Sequence, residues 1–253
     1  MGASGSRAEV KGTSERTGDV TVRGEWVELA ADDETALRAW VARPDGRPPT
    51  RGLLVFQEAF GVNAHIRDVT ERFAAAGFLA ISPELFHRTA PGFEGRYTDF
   101  PATMPHLQAI TERGLDADVR AAYGWLERAG VGANCGAVGY CLGGRVAFVA
   151  NSAVPLKAAA SYYGGHIPPL IGRAARLSGP MLFFWGGLDH HIGEDQRRAV
   201  AKGVGDAHKP FIDVLFSHAD HGFFCDARAS YHPAAAAQAW ALTQAFFDTY
   251  CAR

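Results

Sequence analysis

Cysteine is scarce in this 253-residue chain: the four residues Cys135, Cys141, Cys225 and Cys251 include no CxxC pair. That is too few for a disulfide framework at this length, so a reducing, cytoplasmic setting is expected. Long apolar runs are missing as well. Nothing approaches the roughly 18 residues of a membrane span, and the polar start MGASGSRAEVKGTSERTGDV lacks the apolar stretch of a signal peptide. No sign of charge is in excess, since 25 Lys and Arg face 27 Asp and Glu, and this balance excludes a surface built for nucleic acid or anionic membrane. GxGxxG and GxxxxGK[ST] are both absent, so no organic cofactor is expected. What remains is a small-molecule partner and, by default, a monomer.

With 47% hydrophobic and 21% charged residues, the chain has the balance of a globular protein that buries a large core. Residues 1–19, rich in Gly, Ser, Thr and charge, read as a flexible extension, and 20–253 as one domain. From Val20 the apolar pattern alternates through VTVRGEWVEL and ALRAWVAR, which predicts two antiparallel strands with a turn at Ala31-Asp32-Asp33. Short continuous apolar runs follow at 52–56, 78–81, 136–140, 158–162, 181–185 and 211–215, the pattern of strands buried on both faces. Helical spacing fills the intervals at 66–76, 115–129, 142–151, 195–204 and 234–250. This alternation predicts an α/β fold: a mainly parallel central sheet with helices on both faces and an antiparallel N-terminal strand pair. Ligands then bind beyond the carboxyl ends of the strands. The stretch 83–109, punctuated by Pro and Gly, is long enough to be a functional loop.

The most specific feature is Val138-Gly139-Tyr140-Cys141-Leu142-Gly143-Gly144, where a buried strand turns directly into a helix. It is a GxSxG nucleophile elbow with Cys in place of Ser, and glycines at i−2 and i+2 let neighbouring backbone approach the strained turn. At a helix N-terminus, Cys141 is favoured as thiolate, and the Leu142 N–H is a natural oxyanion donor. In such a fold the acid and base follow in that order after later strands. Asp189 in WGGLDHHI and His221 in SHADHGFF fill those places, 48 and 32 residues further along the chain respectively. His166, His190, His191 and His218 compete as bases or as metal ligands. No HExxH or ligand-spaced Cys/His pair accompanies them, so no metal is expected and loop polarity accounts for them. Phe60, Trp125, Tyr162, Phe223 and Phe224 are either pocket lining or simply core.

Together these residues resemble the dienelactone hydrolase (carboxymethylenebutenolidase) family of α/β-hydrolases. The resemblance runs from Val20 to the C-terminus. It is anchored on QEAFGVN at 57–63, PELFHR at 83–88, the VGYCLGG elbow, GGLDHHI and HGFF, in order along the chain. It implies a Cys141-Asp189-His221 triad that cleaves an ester or lactone through a thioester. It also implies an oxyanion hole from the backbone N–H groups of Leu142 and Ala59, a Glu58 that helps deprotonate the thiol once substrate binds, and an Arg88 that holds a substrate carboxylate. The plainer readings are an ion-paired Glu58 and a solvated Arg88. Family members acting on dienelactone carry a second arginine four residues after the histidine. Cys225 stands there in this chain, and Arg228 follows three positions later. A broad carboxylesterase or thioesterase, or a redox-sensing or ligand-binding protein, is the alternative.

Overall fold

Residues 21–46 and 48–252 are described by a computed structural model; the expected extension over 1–19 lies outside them. Strands β1 (Val22–Ala30) and β2 (Ala36–Pro44) form the predicted antiparallel pair, joined by a tight turn. Then come β3 (Arg51–Phe56), α1 (Ala64–Ala75) and β4 (Phe78–Pro83). The long connection after β4 holds a short 3-10 turn and the one-turn helix α2 (Met104–Gln108), and leads into α3 (Glu112–Arg128). The second half repeats strand and helix through β5 (Cys135–Tyr140), α4 (Leu142–Ala153), β6 (Ala158–Tyr162), β7 (Met181–Gly186), α5 (Glu194–Asp206), β8 (Phe211–Phe216) and α6 (Pro233–Tyr250).

The eight strands lie in the order β1-β2-β4-β3-β5-β6-β7-β8. The β1/β2 and β2/β4 pairs are antiparallel and every later pair is parallel. The chain steps one way from β3 to β4 and the other way from β4 through β5 to β8. Right-handed crossovers then place α1 on the face opposite α3, α4 and α5. Helix α6 joins α1, with the Phe73 ring 4.6 Å from Trp240 and 6.3 Å from Phe247. Helices start where capping chemistry dictates: Asn63 accepts the Ile66 N–H ahead of α1, and Thr111 accepts the Gly114 N–H ahead of α3.

Strands β3 to β7 are buried along their whole length, as their apolar runs require. The expectation fails for β8, where Ile212 and Leu215 are about half exposed (48% and 49%). As the last strand it has β7 on one side only, so part of its apolar run has nothing to pack against. Among the described residues no helix is long and apolar enough to cross a membrane. The direction of travel reverses between β3 and β5, and the crevice beyond their carboxyl ends is where such a sheet binds ligands.

Candidate active site

At the end of β5 the backbone of Cys141 adopts φ +56° and ψ −113°, a region that costs a non-glycine residue about 1–3 kcal/mol. The surroundings impose it. The Cys141 N–H donates to Tyr162 C=O at 3.0 Å, and its own C=O accepts from the Gly144 N–H at 3.0 Å. A Cβ on Gly139 would stand 1.9 Å from the Gly143 carbonyl oxygen, and one on Gly143 would stand 2.2 Å from that of Phe56. Both glycines of the elbow are therefore obligatory, and the second presses α4 against the end of β3. Cys141 makes no side-chain cap to α4, which leaves the first helical turn facing the thiol.

Two more loops bring up the expected partners. Asp189 follows β7 and is held by the loop ahead of α5: its Oδ1 accepts the N–H groups of His191 (2.8 Å) and Ile192 (3.1 Å). Its Oδ2 lies 2.7 Å from His221 Nδ1, beyond the end of β8. Cys141 and the His221 ring line the same cavity. Burial works against a charged imidazole here, but Cys141 and the bond to Asp189 outweigh it and raise His221 to about 10. Burial likewise opposes the Asp189 carboxylate, yet His221 and the two backbone N–H groups hold it below its ordinary value. Cys141, His221 and Asp189 thus come together in one line, with a hydrogen bond between the last two.

A cavity of about 740 Å³ opens over this line. Ala59 and Leu142, the two expected oxyanion donors, stand on its wall with Cys141. Glu58, wholly buried, receives Arg228 Nη1 at 3.1 Å on Oε1, while its Oε2 has no partner. Gln57 fixes this turn by accepting the Leu85 N–H (3.0 Å) and donating to the Glu58 carbonyl. The long 83–109 connection supplies the outer wall through Tyr97, Phe100, Met104 and Leu107.

Arg88 is not brought to this cavity. Its Nε and Nη2 bond Asp33 Oδ2 (2.9 and 2.6 Å), and its Nη1 and Nη2 bond the two oxygens of buried Asp118 (3.0 and 2.8 Å). The expectation of a substrate clamp at Arg88 is therefore corrected: all three guanidinium nitrogens are committed to protein carboxylates. Arg228, seven residues after His221, stands in the cavity instead, its guanidinium over the rings of Phe60 and Tyr97. Of the five aromatic candidates Phe60 lines the cavity, whereas Tyr162, Phe223 and Phe224 are core beneath the elbow and Trp125 packs against the core from α3. His166 and His191 reach the cavity rim, and the His218 ring meets His232 at 4.6 Å.

Two residues escaped the sequence reading. Arg145, one turn beyond Cys141 on α4, lines the cavity with its Nε unpartnered, and burial lowers its pKa. A spacing of four on a helix starting at a nucleophile was the available signal. His65 on α1 sits behind Glu58 with both ring nitrogens unbonded, and Glu58, His65 and Cys225 bring one ligand atom each within 4.8 Å of one another. Burial pushes the Cys225 thiol up to about 11 and the His65 imidazole below its usual value.

Comparison with known proteins agrees with this geometry. Residues 37–251 match the family model described as "Dienelactone hydrolase family". A Synechocystis protein named "Putative carboxymethylenebutenolidase" is 37% identical over 209 residues, covering 78% of this chain and 85% of that protein. One of the same name from Escherichia coli K12 is 31% identical over 226 residues, covering 84% and 82%. The crystal structure titled "Putative Dienelactone Hydrolase" from Klebsiella pneumoniae superposes with a TM-score of 0.83 at 28% identity, over 91% of this chain and all of that one. The chain belongs to the dienelactone hydrolase family, with the α/β-hydrolase fold, and is a hydrolase of the ester or lactone type.

Proposed function

We propose that the protein hydrolyses a carboxylic ester or lactone by way of a thioester on Cys141. The observation that carries this reading is the Asp189–His221 bond of 2.7 Å, with His221 and Cys141 lining one cavity large enough for a small organic substrate. Cys141 Sγ attacks the carbonyl carbon while its proton passes to His221, and Asp189 holds the ring in the tautomer that can receive it. Charge moves onto the carbonyl oxygen, where the Leu142 and Ala59 N–H groups receive it. A single such donor is worth about 3 kcal/mol of barrier. The C–O bond then breaks, and the leaving oxygen takes the proton from His221. Water attacks the thioester with His221 again as base, and the acid departs as the thiol regains its proton.

Glu58 and Arg228 add a second layer. A carboxylate on the substrate competes for the Arg228 guanidinium, which suits bidentate recognition. Glu58, released from its one partner, is then free to draw off the thiol proton first and hand it on to His221. This reading gives Arg228 the task that the family resemblance assigned to Arg88. A generalist esterase is the second reading, favoured by the apolar outer wall of Phe60, Phe100, Met104 and Leu107.

Steady-state hydrolysis of a dienelactone and of a neutral aryl ester tests both. Cys141→Ala and His221→Ala are each expected to lower turnover by about 10⁴ or more on any substrate the wild type accepts. Retained turnover in either variant refutes the triad. Arg228→Met is expected to harm the carboxylate-bearing lactone alone, while an equal effect on both substrates favours the generalist.

A further inference from the structure

Buried polar groups in folded proteins find partners, and each exception needs a cause. Two exceptions, Glu58 and His65, meet a buried thiol, Cys225, beside the active site. Glu58 is fully buried and its Oε2 is unbonded. His65 is 5% exposed and neither ring nitrogen makes a hydrogen bond; Nδ1 lies 3.5 Å from Asp226 Oδ1 without one. Cys225 is fully buried, with the Tyr97 hydroxyl as neighbour. Each lost hydrogen bond costs about 1–3 kcal/mol, so an imidazole with two and a carboxylate with one is an expensive arrangement.

The imidazole is also held in place. Its ring meets Tyr140 and Phe224 edge-on at 6.5 and 6.4 Å, so its orientation is set by the core. The three groups come from separate parts of the fold: the end of β3, the first turn of α1, and the loop after β8. They present one sulfur, one nitrogen and one oxygen, the mixed donor set of a three-ligand zinc site that keeps a fourth position open. Metal–ligand distances of about 2.0–2.3 Å put tetrahedral ligands roughly 3.5 Å apart, so contraction of about 1 Å from the observed spacing closes the site. The exposed Asp226 carboxylate beside His65 offers an arriving cation its first negative charge.

We propose that Glu58, His65 and Cys225 bind a thiophilic divalent cation of the zinc class, and that the bound cation switches hydrolysis off by holding Glu58. On binding, the Cys225 S–H bond is exchanged for a sulfur–metal bond and the proton leaves to solvent. Glu58 turns from Arg228 to the cation and can no longer take the Cys141 proton. The binding half of this proposal stands on geometry alone; the inhibitory half rests on the role given to Glu58 above.

Cobalt and zinc titrations of the full-length, chelator-stripped protein test it. Cobalt is expected to bind at one per chain and to give a thiolate-to-cobalt charge-transfer band in the near ultraviolet. That band is expected to vanish in Cys225→Ser and in His65→Gln and to survive in Cys141→Ala, with circular dichroism and melting showing that all three variants fold. No cobalt binding in the wild type, or a band that disappears with Cys141 and not with Cys225, overturns the site. Zinc is expected to lower hydrolysis by about a hundredfold, the contribution of a general base, with the same midpoint as binding, and Cys225→Ser is expected to escape it. Cation binding through Cys225 with hydrolysis unchanged supports the site and overturns the role of Glu58.

Discussion

Two buried carboxylates in this protein each face an arginine, and they are treated in opposite ways. Asp118 on α3 is saturated: both of its oxygens bond Arg88, and the His87 ring adds a third contact at 3.0 Å. Through Arg88 the network extends to Asp33 in the turn between β1 and β2, whose carboxyl is held down to about 2 by the Thr35 hydroxyl and by Arg88. Glu58 has one hydrogen bond from Arg228 and one oxygen with none. A saturated carboxylate cannot exchange partners without a large cost, so it serves as a staple between elements. An under-satisfied one, paired to an arginine that lines the cavity, is open to exchange. The number of partners, more than the presence of an arginine, separates a structural pair from one proposed to function.

Three measurements break or sharpen this contrast. The largest effect is expected from Asp118→Ala, which leaves Arg88 and His87 without their shared carboxylate. Stability should fall by about 3–5 kcal/mol and the melting temperature by roughly 10 °C, with turnover per folded molecule retained. Chemical denaturation alongside kinetics reads both, and a loss of activity at unchanged stability would make the two pairs alike.

Glu58→Gln should do the reverse. It removes a charge that the fold leaves half unpaired, so stability should move by less than about 1 kcal/mol. Hydrolysis should drop about a hundredfold, near 2.7 kcal/mol of barrier. A melting curve that collapses with the activity would assign Glu58 to the scaffold.

The smallest effect concerns His221. Its folded value, about 10, lies above the ordinary value of 6.5. The stability it contributes is therefore fully present below pH 6.5 and lost as pH rises through about 10. Cys141 is one cause of that rise. Cys141→Ala should thus lower the His221 titration by about one pH unit, near 1.4 kcal/mol, as followed by NMR of the ring protons and by urea midpoints across the same range. An unshifted titration would mean that Asp189 alone sustains the imidazolium.

The same contrast explains what could be read from the sequence. The elbow is a local device, since the residues that force its backbone, Gly139 and Gly143, lie within two positions of Cys141, and the motif is legible at once. Asp189 and His221 were legible because strand order places the loops after β7 and β8 beside the end of β5. Arg88 was misread because its partners, Asp118 and Asp33, lie 30 and 55 residues away and carry no local mark. Arg228 reaches Glu58 across 170 positions, and only the folded loop after β8 shows that the displaced arginine returns to the cavity. The Glu58, His65 and Cys225 grouping has no ligand spacing along the chain at all. Burial of β8 was overestimated because an apolar run does not reveal whether its strand has two neighbours.

That last strand has a kinetic meaning. The proposed catalytic line is assembled from a central strand and from the sheet's outermost one: Cys141 follows β5, buried throughout, and His221 follows β8, bonded to β7 alone. Edge elements with half-exposed side chains open at lower free energy than the centre of a sheet. Heat or denaturant is therefore expected to carry His221 away while the rest of the molecule is still folded, so that loss of hydrolysis runs ahead of the global transition.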